Sequence, residues 1–548
     1  MGLLCSSMPL RTRRFAALLS HVTRCSLAIV AIGGFAAVGE AGETLRRRSA
    51  AEIGLQFGRD TTVISEPRTA DGYPDYVTAL NRRMGAGVTL DENFWAAMWV
   101  AMGNADQSHP EYIHAMERAL GVPIGLQPKF TSRARLAGGS GEAANQFYES
   151  VHRAAAAPWK RGDFPRVQAW LERNKEALAA GAAAAKRPKA FAPVVDWPKP
   201  EVAGALLPHV QACREFAWLL TVRAMRSVGE GESDAAWADL MTVYRMAGHV
   251  EQGWTMVELF TAIALRTIAQ PAVVQYLSHT NASAEELQAK WDELAPLARS
   301  RPFFTVLETD RLAYADAVTA FCSGSCSMRD IVGLYYDLSA GRDPSWADIV
   351  SNRLAQGTAD AVAKAVSATA DVNVTLRYGN RIYDELAAAM EPGDHRERTR
   401  RIAAFEQRLE DEIGPITGGT GPLLTEYLLS SREEAAELPA KVMISLLVAG
   451  VSRCEKTQTA SEARAIVLET AFRVRIQSER SDSSLMSLEA LAGEPLPIDP
   501  FTGGPLRVRA NESGLTVYSV GLNEKDDGGK THEDGTGFDD ERVVLLIP

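Results

Sequence analysis

The sequence predicts a mainly α protein, a multi-helix bundle or helical-hairpin array, with a small C-terminal β (α+β) module. Three observations predict it. Apolar residues recur at helical spacing through most of the chain as far as about residue 480. Short turns bearing Gly or Pro separate these stretches, which places neighbouring helices antiparallel. Beyond them, "PLRVRA" and "LTVYSV" alternate apolar and polar residues around "NESG" (511–514), the pattern of a β-hairpin.

A chain of 548 residues exceeds one ordinary core, so several units are expected: 1–41, 42–200, 201–300, 301–457 and 458–548. In the first, Arg11, Arg13, Arg14 and Arg24 precede the uncharged run Cys25–Gly39, and "EAGE" follows. That is the layout of a secretory signal peptide cut near Ala41. The run is shorter than the roughly 20 apolar residues of a spanning helix. An uncleaved anchor is the alternative, since Arg46, Arg47 and Arg48 come next. The expectation is an exported, periplasmic or envelope protein that meets the membrane only through that N-terminal segment.

Next, "TLDENFWAAMWVAMG" reads as a helix capped by Thr89 with Glu92 three residues on, ended by Gly103. Residues 109–121 read as a short helix with a glycine stop. Asp163 is read as the cap of a helix running from Pro165 to Lys186, broken by Pro188. "FAPVVDWPKPE" (191–201) is a proline-rich joint. Three helices then follow, on Leu206–Val228, Trp237–Val250 and Met256–Leu265, joined by "GEGES" and "EQGW". Their tryptophans, with Trp95, Trp99, Trp159 and Trp170, are read as core. Helical patterns continue from 283 to 480.

The net charge of −11 supplies no basic footprint for nucleic acid. Neither H-E-x-x-H nor G-x-S-x-G occurs, and "GGKT" (528–531) has Glu524 where a phosphate loop needs glycine. Past the signal, Cys213, Cys322, Cys326 and Cys454 remain. A Cys322–Cys326 disulfide closing "FCSGSCSM" is the first expectation and free buried thiols the second. "GLNEKDDGGKTHEDGTGFDDE" (521–541) concentrates carboxylates in a glycine-rich loop. It reads either as solvated surface or as a site for a hard cation such as calcium.

In order, "DPFTGGPLRVR", "LTVYSVG", "GLNEKDDGG" and "DDERVVL" resemble the C-terminal module of type II secretion major pseudopilins, over roughly the last 50 to 90 residues. The resemblance implies a calcium site at the Val520 carbonyl, Asn523, a carbonyl near Gly537, Asp539 and Asp540, with "DDGG" left as loop. Asn523 stands where that family has Asp. "YVTALNRRMGAGVTLDENFWAAMWVAMG" and "CREFAWLLTVRAMRSVGEGESDAAWADLMTVYRMA" resemble a family of exported, uncharacterised planctomycete proteins, which implies no activity. The functional expectation is therefore a non-enzymatic envelope scaffold or interaction protein whose partner is an envelope or secretion-system protein. One alternative is an enzyme with its site in the helical body, using Asp239, Glu258 or His249. The other is a membrane-anchored assembly factor.

Overall fold

The computed structural model describes residues 47–548 apart from 106–107, 140, 196–201, 203–206, 326–369, 392, 418–428, 449, 481–494, 512–513, 532–533, 535–537 and 546–548. The signal segment, Cys326 and Gly537 therefore lie outside the described residues. What is described is mostly helical, with one small three-stranded antiparallel sheet.

The N-terminal helices are α1 (Tyr76–Gly85), α2 (Phe94–Met102), α3 (Pro110–Leu120), α4 (Arg133–Ala137), α5 (Glu142–Ala156), α6 (Pro165–Arg173) and α7 (Lys175–Ala184). Two expectations are corrected here. Helix α2 starts at Phe94, not after Thr89: the Asn93 side chain caps it by accepting from the Trp95 N–H at 3.1 Å, while Thr89 and Glu92 bond to each other in the preceding turn. Asn93 also accepts from Phe191 N–H and donates to its carbonyl, so a contact 98 residues away sets the helix start. The expected single helix from Pro165 to Lys186 is two. Asn174, fully buried, leaves the helical path so that its side chain can bond both main-chain groups of Thr131.

Helices α8 (Pro208–Gly229), α9 (Ser233–Val250) and α10 (Met256–His279) pack antiparallel as their short turns require, and α11 (Ala284–Ala298) follows. Helix α10 is long and apolar enough to cross a membrane, but 89% of its most apolar window is buried inside the protein. It is the central helix of the core. Thr255 and Glu258 form a reciprocal capping box at its start, and Ser283 and Glu286 repeat the device on α11.

The second half holds α12 (Leu307–Ser323), α13 (Val372–Ala389), α14 (His395–Thr417), α15 (Arg432–Leu447) and α16 (Val451–Arg480). These elements, with Tyr73 and Tyr76, bury a second core around Tyr314, Leu376, Ile382 and Ile402. The backbone at Gly379 passes so close to Tyr314 that a Cβ there would lie 2.0 Å from the ring. Cys322 is a buried free thiol at the end of α12, and burial pushes it up to about 12.

The 30-residue α16 spans both cores: Val451 lies in the second, Ile466 to Ile476 in the first. The boundary expected at 457/458 falls inside it. The sheet pairs β1 (Arg507–Asn511) with β2 (Gly514–Ser519), and β2 with β3 (Glu541–Leu545). Leu506, Leu515, Val517, Val543 and Leu545 join the same continuous core as Trp237, Tyr276 and Phe472. Phe472 packs between Trp291, tilted against it at 5.1 Å, and Trp237, edge-on at 6.2 Å. The sheet is thus built into the helical body.

Candidate metal centre

The connection from β2 to β3 begins at a point that only glycine can occupy. Gly521 has φ +69°, and a Cβ on it would lie 2.1 Å from the Asp539 carbonyl oxygen. This close approach brings the two ends of the long loop together. Gly528 and Gly529 follow, both with positive φ, and turn the chain back toward Asp540. Glu524 also takes a left-handed backbone, φ +54°, and its carboxylate pairs with Arg396 of α14 at 2.9 Å.

Behind the loop, Asp499 fixes the "DPFTGGP" turn. Its Oδ1 accepts from the Phe501 N–H and the Ser519 hydroxyl, both at 2.9 Å, and its Oδ2 accepts from the Val520 N–H at 3.0 Å. Phe501 and Val520 bury themselves with Ala460 and Ala463 of α16. His395 of α14 meets the Phe501 ring edge-on at 5.1 Å and shares Thr459 and Glu455 of α16. Asp526 braces the hairpin, accepting from the Tyr518 hydroxyl at 2.9 Å and pairing with Arg507.

Asp527, Asp539 and Asp540 then converge, each offering a carboxylate oxygen within 4.8 Å of the others. Asp539 Oδ2 accepts from the Asn523 N–H at 2.9 Å, Asp527 Oδ2 accepts from Asn523 Nδ2 at 2.9 Å, and Asp540 Oδ2 accepts from the Gly529 N–H at 2.8 Å. The other oxygen of Asp540 is buried without a hydrogen bond, on a residue only 1% exposed. Burial pushes the Asp540 carboxyl up to about 6; the charges of Asp527 and Asp526 add to this and nearby main-chain amides oppose it.

Ionised together, the three carboxylates carry a mutual repulsion. A proton on Asp540 or a cation among the three relieves it. The donors are all oxygens, which suits a hard cation: calcium takes six to eight of them, the remainder from carbonyls and water.

The expected ligand set is redistributed. Asp539 and Asp540 lie together. Val520 is buried at the end of β2, and Gly537 lies outside the described residues. Asn523 sits beside the triad but turns N–H groups toward it, its side-chain oxygen accepting from the Lys525 N–H at 2.7 Å. Asp527, in the "DDGG" read as plain loop, is the third member. The signal for it was the Gly528-Gly529 pair, which folds the loop back on itself.

The residues named for an enzyme in the helical body each serve the fold. Asp239 makes a two-point pair with Arg223 at 2.6 and 2.8 Å. Glu258 caps α10, and His249 Nε2 bonds the Ala185 carbonyl at 3.1 Å. Compared with family models, with curated proteins and with solved structures, the chain finds no match.

Proposed function

We propose that the chain is a non-enzymatic scaffold or interaction protein of the cell envelope whose C-terminal, pseudopilin-like module is stabilised by calcium. The observation that carries this reading is the Asp527–Asp539–Asp540 triad, with one buried Asp540 oxygen left without a hydrogen bond. The ordered series of aspartate-locked turn, hairpin, acidic loop and third strand supports the pseudopilin-like form. Export rests on the N-terminal charge and apolar pattern. The partner is an envelope or secretion-system protein, for which the large helical surface provides area.

Thermal melts of the full chain with calcium and with chelator test the metal part. A cation that binds only the folded state raises stability by about 2.7 kcal/mol at a hundredfold excess over its dissociation constant. Calcium is expected to raise the midpoint of the wild type and to leave an Asp539→Asn/Asp540→Asn double variant unmoved. A wild-type midpoint indifferent to calcium would sink the reading.

A further inference from the structure

We propose that loading of this cation site controls how firmly the C-terminal sheet ties helices α10 and α16 together, acting through Glu541 and Arg464. The inference rests on the calcium reading above. Glu541 directly follows Asp540 and is the first residue of β3, paired with Ser519 at the end of β2. Residues two apart on a strand share a face, so Glu541 lies on the side of Val543 and Leu545, which enter the core.

There Glu541 meets Arg464 of α16 in a two-point pair: Nε donates at 2.8 Å and Nη2 at 2.6 Å. The side chains are only 12% and 19% exposed, so water screens the pair weakly. Nη1 of the same arginine reaches Thr267 Oγ1 of α10 at 3.4 Å, and Gln270 of α10 donates to the Arg464 carbonyl at 3.0 Å. One guanidinium therefore joins β3, α16 and α10.

Covalent adjacency connects this joint to the triad. An empty site leaves three carboxylates opposing one another at the entry to β3, and the first strand pair is where such repulsion frays the sheet. A bound cation draws Asp539 and Asp540 against Asp527 and holds Glu541 in place for Arg464. Linkage makes the effect reciprocal: a body that already orders β3 spends less on ordering the loop, and so binds the cation more tightly.

Hydrogen exchange of the full chain, with calcium and with chelator, tests the proposal beside calcium titrations of wild type and Arg464→Met. Calcium is expected to slow exchange around residues 521–531 and also along α10 and α16 near Thr267 and Arg464. Arg464→Met is expected to bind calcium about fivefold or more weakly and to lose the slowing in the helices. Protection that stops at the loop in the wild type overturns the coupling and leaves the calcium site standing. A wild type that binds no calcium at all removes both. If Arg464→Met does not fold, Glu541→Gln serves in its place, and the wild-type exchange pattern decides by itself.

Discussion

The carboxyl of Asp540 is pushed up to about 6 by burial and by its acidic neighbours, against about 3.9 for an unperturbed aspartate. Folding without a cation therefore favours the protonated form. That stabilisation is complete below about pH 4 and is lost as pH rises to about 6. In chelator, the urea midpoint of the wild type is expected to carry a falling component across that window, which Asp540→Asn removes. With calcium the sign reverses, because the cation binds the carboxylate. A wild type and an Asp540→Asn variant with identical pH profiles in chelator would contradict the burial argument. At this scale the sequence exposed part of the site. The resemblance of the tail to the pseudopilin module pointed to Asp539 and Asp540. It did not point to Asp527, whose approach depends on the left-handed turn at Gly528 and Gly529 and on the Gly521–Asp539 contact.

Three helix starts carry a cap built within a few residues of sequence, although the same local pattern at Thr89–Glu92 starts no helix. The boxes Thr255–Glu258, Ser283–Glu286 and Ser431–Glu434 each satisfy two end groups within four residues. Helix boundaries failed to be legible where a distant residue sets the start, as Phe191 does for α2 and Thr131 does for the break at Asn174. The two kinds of cap also differ in energy. The Thr255 box is buried, with Glu258 fully enclosed, whereas the Ser283 box is exposed. Losing a cap costs about 0.5–2 kcal/mol, and a buried partner left unsatisfied adds to the loss. Urea denaturation is expected to place Thr255→Ala near the top of that range and Ser283→Ala near the bottom. Equal losses would mean that burial does not matter to the cap.

At the scale of the whole molecule, α16 is the strut. It enters the second core at Val451, carries the small Phe501–Val520 contact at Ala460 and Ala463, and ends in the first core beside Trp237 and Trp291. The sheet closes the far side of that core. A chain ending at Ile498 would strip Leu506, Leu515, Val517, Val543 and Leu545 from it, and Phe501 from the small contact on Ala460 and Ala463. Burying one large apolar side chain is worth about 1.5–3 kcal/mol, so the loss exceeds what a marginally stable protein can bear. The truncated chain is expected to lose its cooperative melt by circular dichroism and to bind a hydrophobic dye. A truncation that melts like the full chain would make the sheet a mere appendage. The sequence by itself determined the mainly helical class, the antiparallel middle helices, the hairpin and the acidic loop, because each follows from periodicity or turn chemistry within a few residues. Only the tertiary structure decided that the sheet belongs to the helical core and that Asp527 joins Asp539 and Asp540. Both depend on contacts between residues far apart in the chain, which packing selects and local pattern does not encode.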